Sequence, residues 1–490
     1  MVRAQHTVTI LTLAALLAAC GNSGGSGGTT TVAVPTTGPT SSPSPTPTPS
    51  AVAGCTLRDR QDWAAAQLRE WYLFPESLPA ALNPTPYTTV EGYIDALTAT
   101  ARAQRKDRYF TYLTSIATEN AYYASGASAG FGFRLSYDTN ARRVFVAESF
   151  EGTAATAAGV DRGAEIIAIG ASSDTLATVD SILATQGTAG ITDALGPGSA
   201  GTVRVLRVTD ANSTRTVSLT KTDYALTPVS SRYGVQILTD GGRQIGYVNL
   251  RTFISTADPA LRAAFARFKA AGITDVIVDL RYNGGGSLAI AELLGNLLGG
   301  ARSASDVLQY TTFRPEKAAS NVTAYYTRQP ETITPTRIAF IGTGGTASAS
   351  ELVIAQAIPY LHSNAALIGT NTYGKPAGQI SLDRAQCDDR LRVVALSVQN
   401  AARQGAYYDG LATIMEANCR ADDDLTHPLG DPRETSTRTA IDYLAGRSCT
   451  PIVAAAGTQT TLSLRTATPS RALLMPDHPD TTQREVPGSF

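Results

Sequence analysis

The sequence predicts a multidomain α+β protein, and three observations carry that prediction. An early stretch repeats apolar residues near a 3.6 period, a middle stretch alternates apolar and polar residues in short runs, and a long third stretch alternates apolar strands with helices. At 490 residues the chain also exceeds what one hydrophobic core holds, since single cores rarely grow past about 250 residues.

Residues 1–19 carry one early charge, Arg3, and an apolar run over residues 8–19, too short to cross a bilayer. Small residues before Cys20 (LAAC) resemble the bacterial lipoprotein signal, which implies lipidation at Cys20 and export. Gly21 follows in place of the aspartate associated with inner-membrane retention. In a Gram-negative host this implies an outer-membrane lipoprotein facing the periplasm or the exterior. Residues 20–54 are almost entirely Gly, Ser, Thr and Pro and read as a disordered tether with too little apolar surface to order.

Residues 55–127 read as a helical domain, with Trp63, Leu68, Trp71, Tyr72 and Leu73 in one apolar stretch and Val90, Tyr93, Ile94 and Leu97 in another. Residues 128–226 hold short strands (GFGFRLSYD, RVFVAES, AEIIAIG, TVRVLRV, TRTVSLTK) around the small-residue segment EGTAATAAGVDRG. Residues 227–450 run strand IGYVNL, helix ALRAAFARFKAAG, strand DVIVDL, turn NGGG, helix SLAIAELLGNLL, strand RIAFIG and helix ASELVIAQAIPYL, an α/β core. Residues 451–490 lose this pattern, become rich in Thr, Ser and Pro, and read as a mobile tail.

A formal net charge of −1 with 17% charged residues leaves no basic excess to attract nucleic acid or anionic lipid. Apart from Cys20, four cysteines remain in a chain sent to an oxidising compartment: Cys55, Cys387, Cys419 and Cys449. Two disulfides are expected. Of the three pairings, Cys387 with Cys419 and Cys55 with Cys449 is the favoured one. No CxxC or clustered histidine accompanies them, so no metal is expected.

Acyl transfer needs a nucleophile, a base and donors aimed at a developing oxyanion. In IGTGGTASASELV, Ser348 falls where a strand and flexible turn give way to a helix, so its hydroxyl projects from a rigid corner and the Ala349 N–H is poised as an oxyanion donor. In GTNTYGKPAGQ, Lys375 follows Gly374, with Gln379 four residues on. A lysine made neutral by burial can take the serine proton. Of four histidines, His6 lies in the signal, His478 in the tail and His362 at a helix end, leaving His427 as the rival base. Ser350 is the rival nucleophile. Two other motifs are set aside: Gly126 to Gly130 fits G-x-S-x-G but precedes a strand where a hydrolase elbow needs a helix, and Ser218 to Lys221 fits S-x-x-K without its partner motifs.

DVIVDLRYNGGG, GTASASELV and TYGKPAGQ, in that order, resemble the carboxyl-terminal processing (tail-specific) serine protease family. Residues 128–226 resemble the PDZ domain of such proteases. The resemblance implies a ClpP/crotonase-like Ser/Lys protease core, a Ser348 nucleophile, a Lys375 base and Gln379 orienting the lysine. It places the second oxyanion donor in the NGGG turn, at the Gly285 N–H. Gly130, Phe131, Gly132 and Phe133 resemble the PDZ carboxylate-binding loop, where backbone N–H groups hold a peptide end and the peptide adds a strand. The implied activity is endopeptidase cleavage of unfolded or C-terminal polypeptide segments, without metal or organic cofactor. The other reading is a noncatalytic peptide-binding lipoprotein. The chain departs from the family at Pro376-Ala377-Gly378, in a Ser-to-Lys interval of 27 residues, and in the closing stretch DGLATIMEANCRADDDLTHPLGDP, so substrate preference transfers less readily than chemistry. Oligomeric state is not readable from the sequence.

Overall fold

The computed structural model describes residues 53–452 and 471–490; Cys20 and the expected signal lie outside them, as does nearly all of the tether. Helix α1 (Leu57–Trp71) begins at Thr56, which accepts from Asp59 N while the Asp59 carboxylate accepts from Thr56 N, a reciprocal cap. Helix α2 (Val90–Leu97) buries Val90, Tyr93, Ile94 and Leu97, the positions a helical period places on one face. Helix α3 (Ala99–Ala103), strand β1 (Tyr112–Ser115), helix α4 (Ile116–Ser125) and strand β2 (Ala127–Gly130) follow.

These helices do not enclose a core of their own. Leu68, Tyr72, Ile94 and Leu97 share an apolar cluster with Leu391, Val393 and Val394, and β1 pairs antiparallel with the strand carrying those three. The helical segment expected over residues 55–127 is therefore built onto a sheet of the third segment rather than free-standing.

The next segment contains β3 (Phe133–Asp138), β4 (Arg143–Ser149), α5 (Ala154–Ala157), β5 (Glu165–Gly170), β6 (Ala177–Thr178), α6 (Val179–Leu195), β7 (Val203–Thr209) and β8 (Thr214–Thr220). Its antiparallel sheet runs β3-β4-β5-β7-β8, with α6 packed on β5, and β9 (Thr222–Ala225) pairs with β2. Within this segment β3 is the outermost strand, and residues 472–473 pair along part of its outer side.

The third segment contains β10 (Val235–Asp240), β11 (Arg243–Asn249), α7 (Ala257–Ala270), β12 (Asp275–Asp279), α8 (Leu288–Leu298), β13 (Val307–Phe313), β14 (Val322–Tyr325), β15 (Arg337–Gly342), α9 (Ala349–Leu361), β16 (Ala365–Gly369), β17 (Ala377–Arg384), β18 (Asp389–Gln399), β19 (Ala417–Arg420) and α10 (Thr435–Leu444). The main sheet runs β10-β11-β12-β15-β16-β19 and is parallel from β11 to β19. Val276 and Val278 face the cluster formed with α7, α8 and α9, while Ile277 faces α10. Burial on both faces is why β12 reads as an unbroken apolar run. A second sheet joins β1, β18, β13 and β14, with β17 also on β18.

Two expectations are corrected. Cysteines pair as Cys55 with Cys387 and Cys419 with Cys449, Cα atoms 5.6 and 5.5 Å apart, not as Cys387 with Cys419 and Cys55 with Cys449. The packing of α1 on β17 and β18 brings Cys55 to the turn holding Cys387, a long-range placement that sequence spacing does not encode. Residues 471–490 are likewise not a mobile tail. Strand β20 (Ala472–Leu473) pairs with β3, α11 (Thr481–Glu485) is capped by Asp480, and Leu474, Val486 and Phe490 are buried.

Candidate active site

Three neighbouring parallel strands deliver the site. The NGGG turn follows β12, Ser348 follows β15 and Lys375 follows β16, so all three leave the carboxyl ends of adjacent strands, where open α/β sheets place their ligands. The turn and the serine loop are stitched together: Ala347 N donates to Asn283 O at 3.0 Å, and Thr346 Oγ1 donates to Leu280 O at 2.8 Å. Ser350 is buried, with its hydroxyl donating to Asn283 O at 3.0 Å, which engages the rival nucleophile structurally.

Ser348 stands at the head of α9 with φ 55° and ψ −116°, a backbone conformation that a residue with a Cβ adopts only when its surroundings impose it. What imposes it is Glu351, one turn into the helix. Its buried carboxylate accepts from four donors: Thr372 Oγ1 at 2.6 Å and Gly374 N at 2.7 Å on Oε1, Ser348 N at 3.1 Å and Lys375 N at 2.7 Å on Oε2. The serine and lysine backbones thus meet on one oxygen atom. Burial raises the Glu351 carboxyl, and the four donors oppose that rise.

The Lys375 amine donates to Gln379 Oε1 at 3.2 Å and lies 4.9 Å from the Phe110 ring centre. Gln379 in turn donates to Phe110 O. Burial lowers the Lys375 amine below its ordinary value of 10.5; nearby Glu485 opposes the shift and Arg484 adds to it. Arg108 fixes the lysine loop from the other side, donating to Tyr373 O at 2.8 Å and Gly374 O at 2.6 Å, with its guanidinium 4.0 Å from the Tyr373 ring centre. A cleft of about 530 Å³ opens here, lined by Lys375, Phe110, Gly284, Ala347, Arg484 and Glu485 among others.

Gly285 has φ 122°, and a Cβ there would lie 2.8 Å from Ser348 Cβ and 3.1 Å from Ala349 N, so only glycine fits against the serine corner. Its N–H donates to Asn283 Oδ1 at 3.0 Å in this structure, and the Gly284 N–H donates to Glu485 O at 2.9 Å. Ala349 heads α9, where the first helical N–H groups have no partner within the helix.

The rival histidines are engaged elsewhere. His427 Nδ1 lies 2.7 Å from Asp424 Oδ2, and exposed His362 lies 2.8 Å from Glu416. Gly130, Phe131, Gly132 and Phe133 lie away from this corner, at the start of β3; both phenylalanines are fully buried. Glu351, Arg108 and Phe110 were not picked out from the sequence. Only Glu351 left a local signal, the S-x-x-E spacing of a helix capping box over Ser348 to Glu351.

Residues 244–403 match the sequence profile described as Peptidase family S41, so the core is similar to that class of peptidases. Within that class the resemblance is to the carboxyl-terminal processing proteases. The C-terminal processing peptidase, chloroplastic, of Tetradesmus obliquus is 31% identical over 173 residues, 33% of this chain and 35% of that protein. Carboxyl-terminal-processing peptidase 3, chloroplastic, of Arabidopsis thaliana is 28% identical over 265 residues, 51% of this chain and 46% of that protein. The chain therefore spans between a third and a half of the length of these relatives. In fold, it is similar to a protein from Bacteroides fragilis assigned to the S41 proteases, with a TM-score of 0.60 at 22% identity over 78% of this chain and 97% of that one.

Proposed function

We propose that the chain is an exported serine endopeptidase of the carboxyl-terminal processing type, lipid-anchored at Cys20, that cleaves unfolded polypeptide through a Ser348/Lys375 dyad. The observation that carries this reading is the Glu351 carboxylate holding the Ser348 and Lys375 N–H groups on one atom, beside a desolvated lysine oriented by Gln379.

In this mechanism neutral Lys375 takes the Ser348 hydroxyl proton as Oγ bonds to the scissile carbonyl carbon. The oxyanion is met by the Ala349 N–H and, once freed from Asn283 Oδ1, by the Gly285 N–H. The C–N bond then breaks, the leaving amine takes the proton from Lys375, and water hydrolyses the acyl-enzyme with the same lysine as base. The sheet of β3 to β8 with α6 serves as a PDZ-type module in this reading, with the loop at Gly130, Phe131, Gly132 and Phe133 as its peptide seat.

Purified protein is expected to cleave casein in a fluorescence assay. Ser348→Ala reduces the rate by about 10³ to 10⁶-fold and Lys375→Ala nearly as much, whereas His427→Ala has little effect. A Ser348→Ala protein as active as its parent sinks the assignment. The engaged Gly284 and Gly285 N–H groups favour a second reading, a peptide-binding protein without catalysis. Failure of a serine-directed fluorophosphonate to label Ser348 selects it.

A further inference from the structure

The edge of β3 is occupied by the protein's own chain. Leu135 N donates to Gly488 O at 2.8 Å, Phe490 N donates to Phe133 O at 3.0 Å, and Arg134 stands opposite Ser489 in an antiparallel bridge. An edge strand exposes unpaired backbone groups and accepts an added strand readily. Two consecutive N–H groups, those of Phe131 and Gly132, both donate to the main-chain oxygen of Phe490 at 3.1 Å, forming a backbone concavity that holds an oxygen ligand. The Phe490 ring is buried in the cluster of Phe131, Phe133, Ile191 and Leu195.

The same segment reaches the candidate active site. Glu485 O takes the Gly284 N–H of the NGGG turn, Arg484 donates to Tyr109 O at 2.6 Å, and both residues line the cleft beside Lys375. Between the two ends, Arg134 Nη1 donates to Pro487 O at 2.9 Å and also to Tyr282 O, one residue before the turn. Residues 484–490 therefore run from the site's glycine turn to the seat at the start of β3.

We infer that residues 484–490 are an intramolecular ligand that excludes substrate from this path, and that the groove accepts in their place an extended polypeptide with an aromatic or large aliphatic residue at the position of Phe490. The inference rests on the reading of the β3 edge and α6 as a peptide site. A groove self-occupied nine-tenths of the time lowers the apparent affinity for an outside peptide about tenfold.

The test uses the full chain carrying Ser348→Ala, so that binding is read without cleavage, and a labelled peptide of sequence QREVPGSF followed by fluorescence anisotropy. Adding Phe490→Asp, which places a charge in the apolar seat, tightens peptide binding about tenfold. In protein with Ser348 intact, Phe490→Asp lowers the KM for casein by a similar factor, and added peptide reverses the gain. Gly488→Val is the second variant. Gly488 has φ 85° and a Cβ there would lie 2.8 Å from Leu135 O, so the substitution unseats the strand without altering the apolar seat. A peptide ending in Asp in place of Phe does not bind.

Equal peptide affinity in parent and both variants overturns the inference, as does equal binding of the Asp-ended peptide. If no variant binds any peptide, the peptide-site reading falls with it. Casein cleavage with unchanged peptide affinity removes the inference alone, and a tenfold affinity gain without cleavage removes the peptidase reading alone.

Discussion

Each oxygen of the Glu351 carboxylate takes two donors, so the site needs an acceptor with no hydrogen of its own. Glu351→Gln puts an NH2 group against two of those donors and separates the serine loop from the lysine loop. Because small misplacement of reacting groups costs about 10²-fold, kcat on casein falls by about that factor in Glu351→Gln, and Glu351→Ala is no worse. A merely structural role is separated from a positioning role by the pH profile. If the proposed dyad operates, activity requires neutral Lys375, so kcat is expected to rise with pH and reach half its maximum below 10.5, because burial lowers the amine. Glu351→Gln keeps this rising limb while lowering its plateau; loss of the limb reassigns the base. At this scale Ser348, Lys375 and Gln379 were legible as short motifs. Glu351 was half-legible, since S-x-x-E reads as an ordinary helix cap, and Arg108 and Phe110 were illegible, since nothing local ties them to a loop more than 260 residues away.

Among elements, the α/β core was the most legible part, because parallel strands buried on both faces must be continuously apolar and the helices between them must show a 3.6 period. The attachment of the β3 to β8 sheet to that core was not legible, being made by charges that look like surface residues in sequence. Arg251, 1% exposed, donates to Glu148 Oε1 at 2.6 Å, to Glu151 Oε2 at 2.7 Å and to the Tyr233 hydroxyl at 2.8 Å, while Arg134 reaches Glu148 from the other side at 3.2 Å. Burial pushes the Glu148 carboxyl up, but Arg251 and Arg134 outweigh it and hold it at about 2. A carboxyl lowered in the folded state adds stability above its unfolded value, about 4.3, and loses it as pH falls toward the folded one. Arg251→Met leaves Glu148 buried with one partner fewer and costs about 3 to 5 kcal/mol, read as a lower urea midpoint at pH 7. Removing Arg251 also lets the folded Glu148 carboxyl rise toward its unfolded value, so the variant loses less stability on acidification below about 4.3 than the parent does; an unchanged midpoint and acid limb remove the pair from the attachment.

Across the whole molecule, the candidate site is assembled from pieces far apart in sequence: Arg108 and Phe110, the turn after Asn283, Ser348 with Glu351, Lys375 with Gln379, and residues 484–485. What joins the first of these to the rest is the packing of α1 and α2 on β17 and β18, with Cys55 and Cys387 closing it covalently over a separation of 332 residues. The other bridge, Cys419 to Cys449, spans only 30. A cross-link removes more freedom from the unfolded chain as its loop lengthens, so Cys55→Ser costs about 4 to 5 kcal/mol of stability and Cys419→Ser about 3. Denaturant unfolding of the two variants gives this order, and non-reducing peptide mapping of the parent gives a Cys55–Cys387 fragment. A fragment joining Cys387 to Cys419 overturns the pairing. Because Cys55 sits just before α1, its loss also loosens the wall holding Phe110 over Lys375. In Cys55→Ser, casein cleavage therefore declines on warming before the far-ultraviolet signal of the core melts, whereas in Cys419→Ser the two fall together.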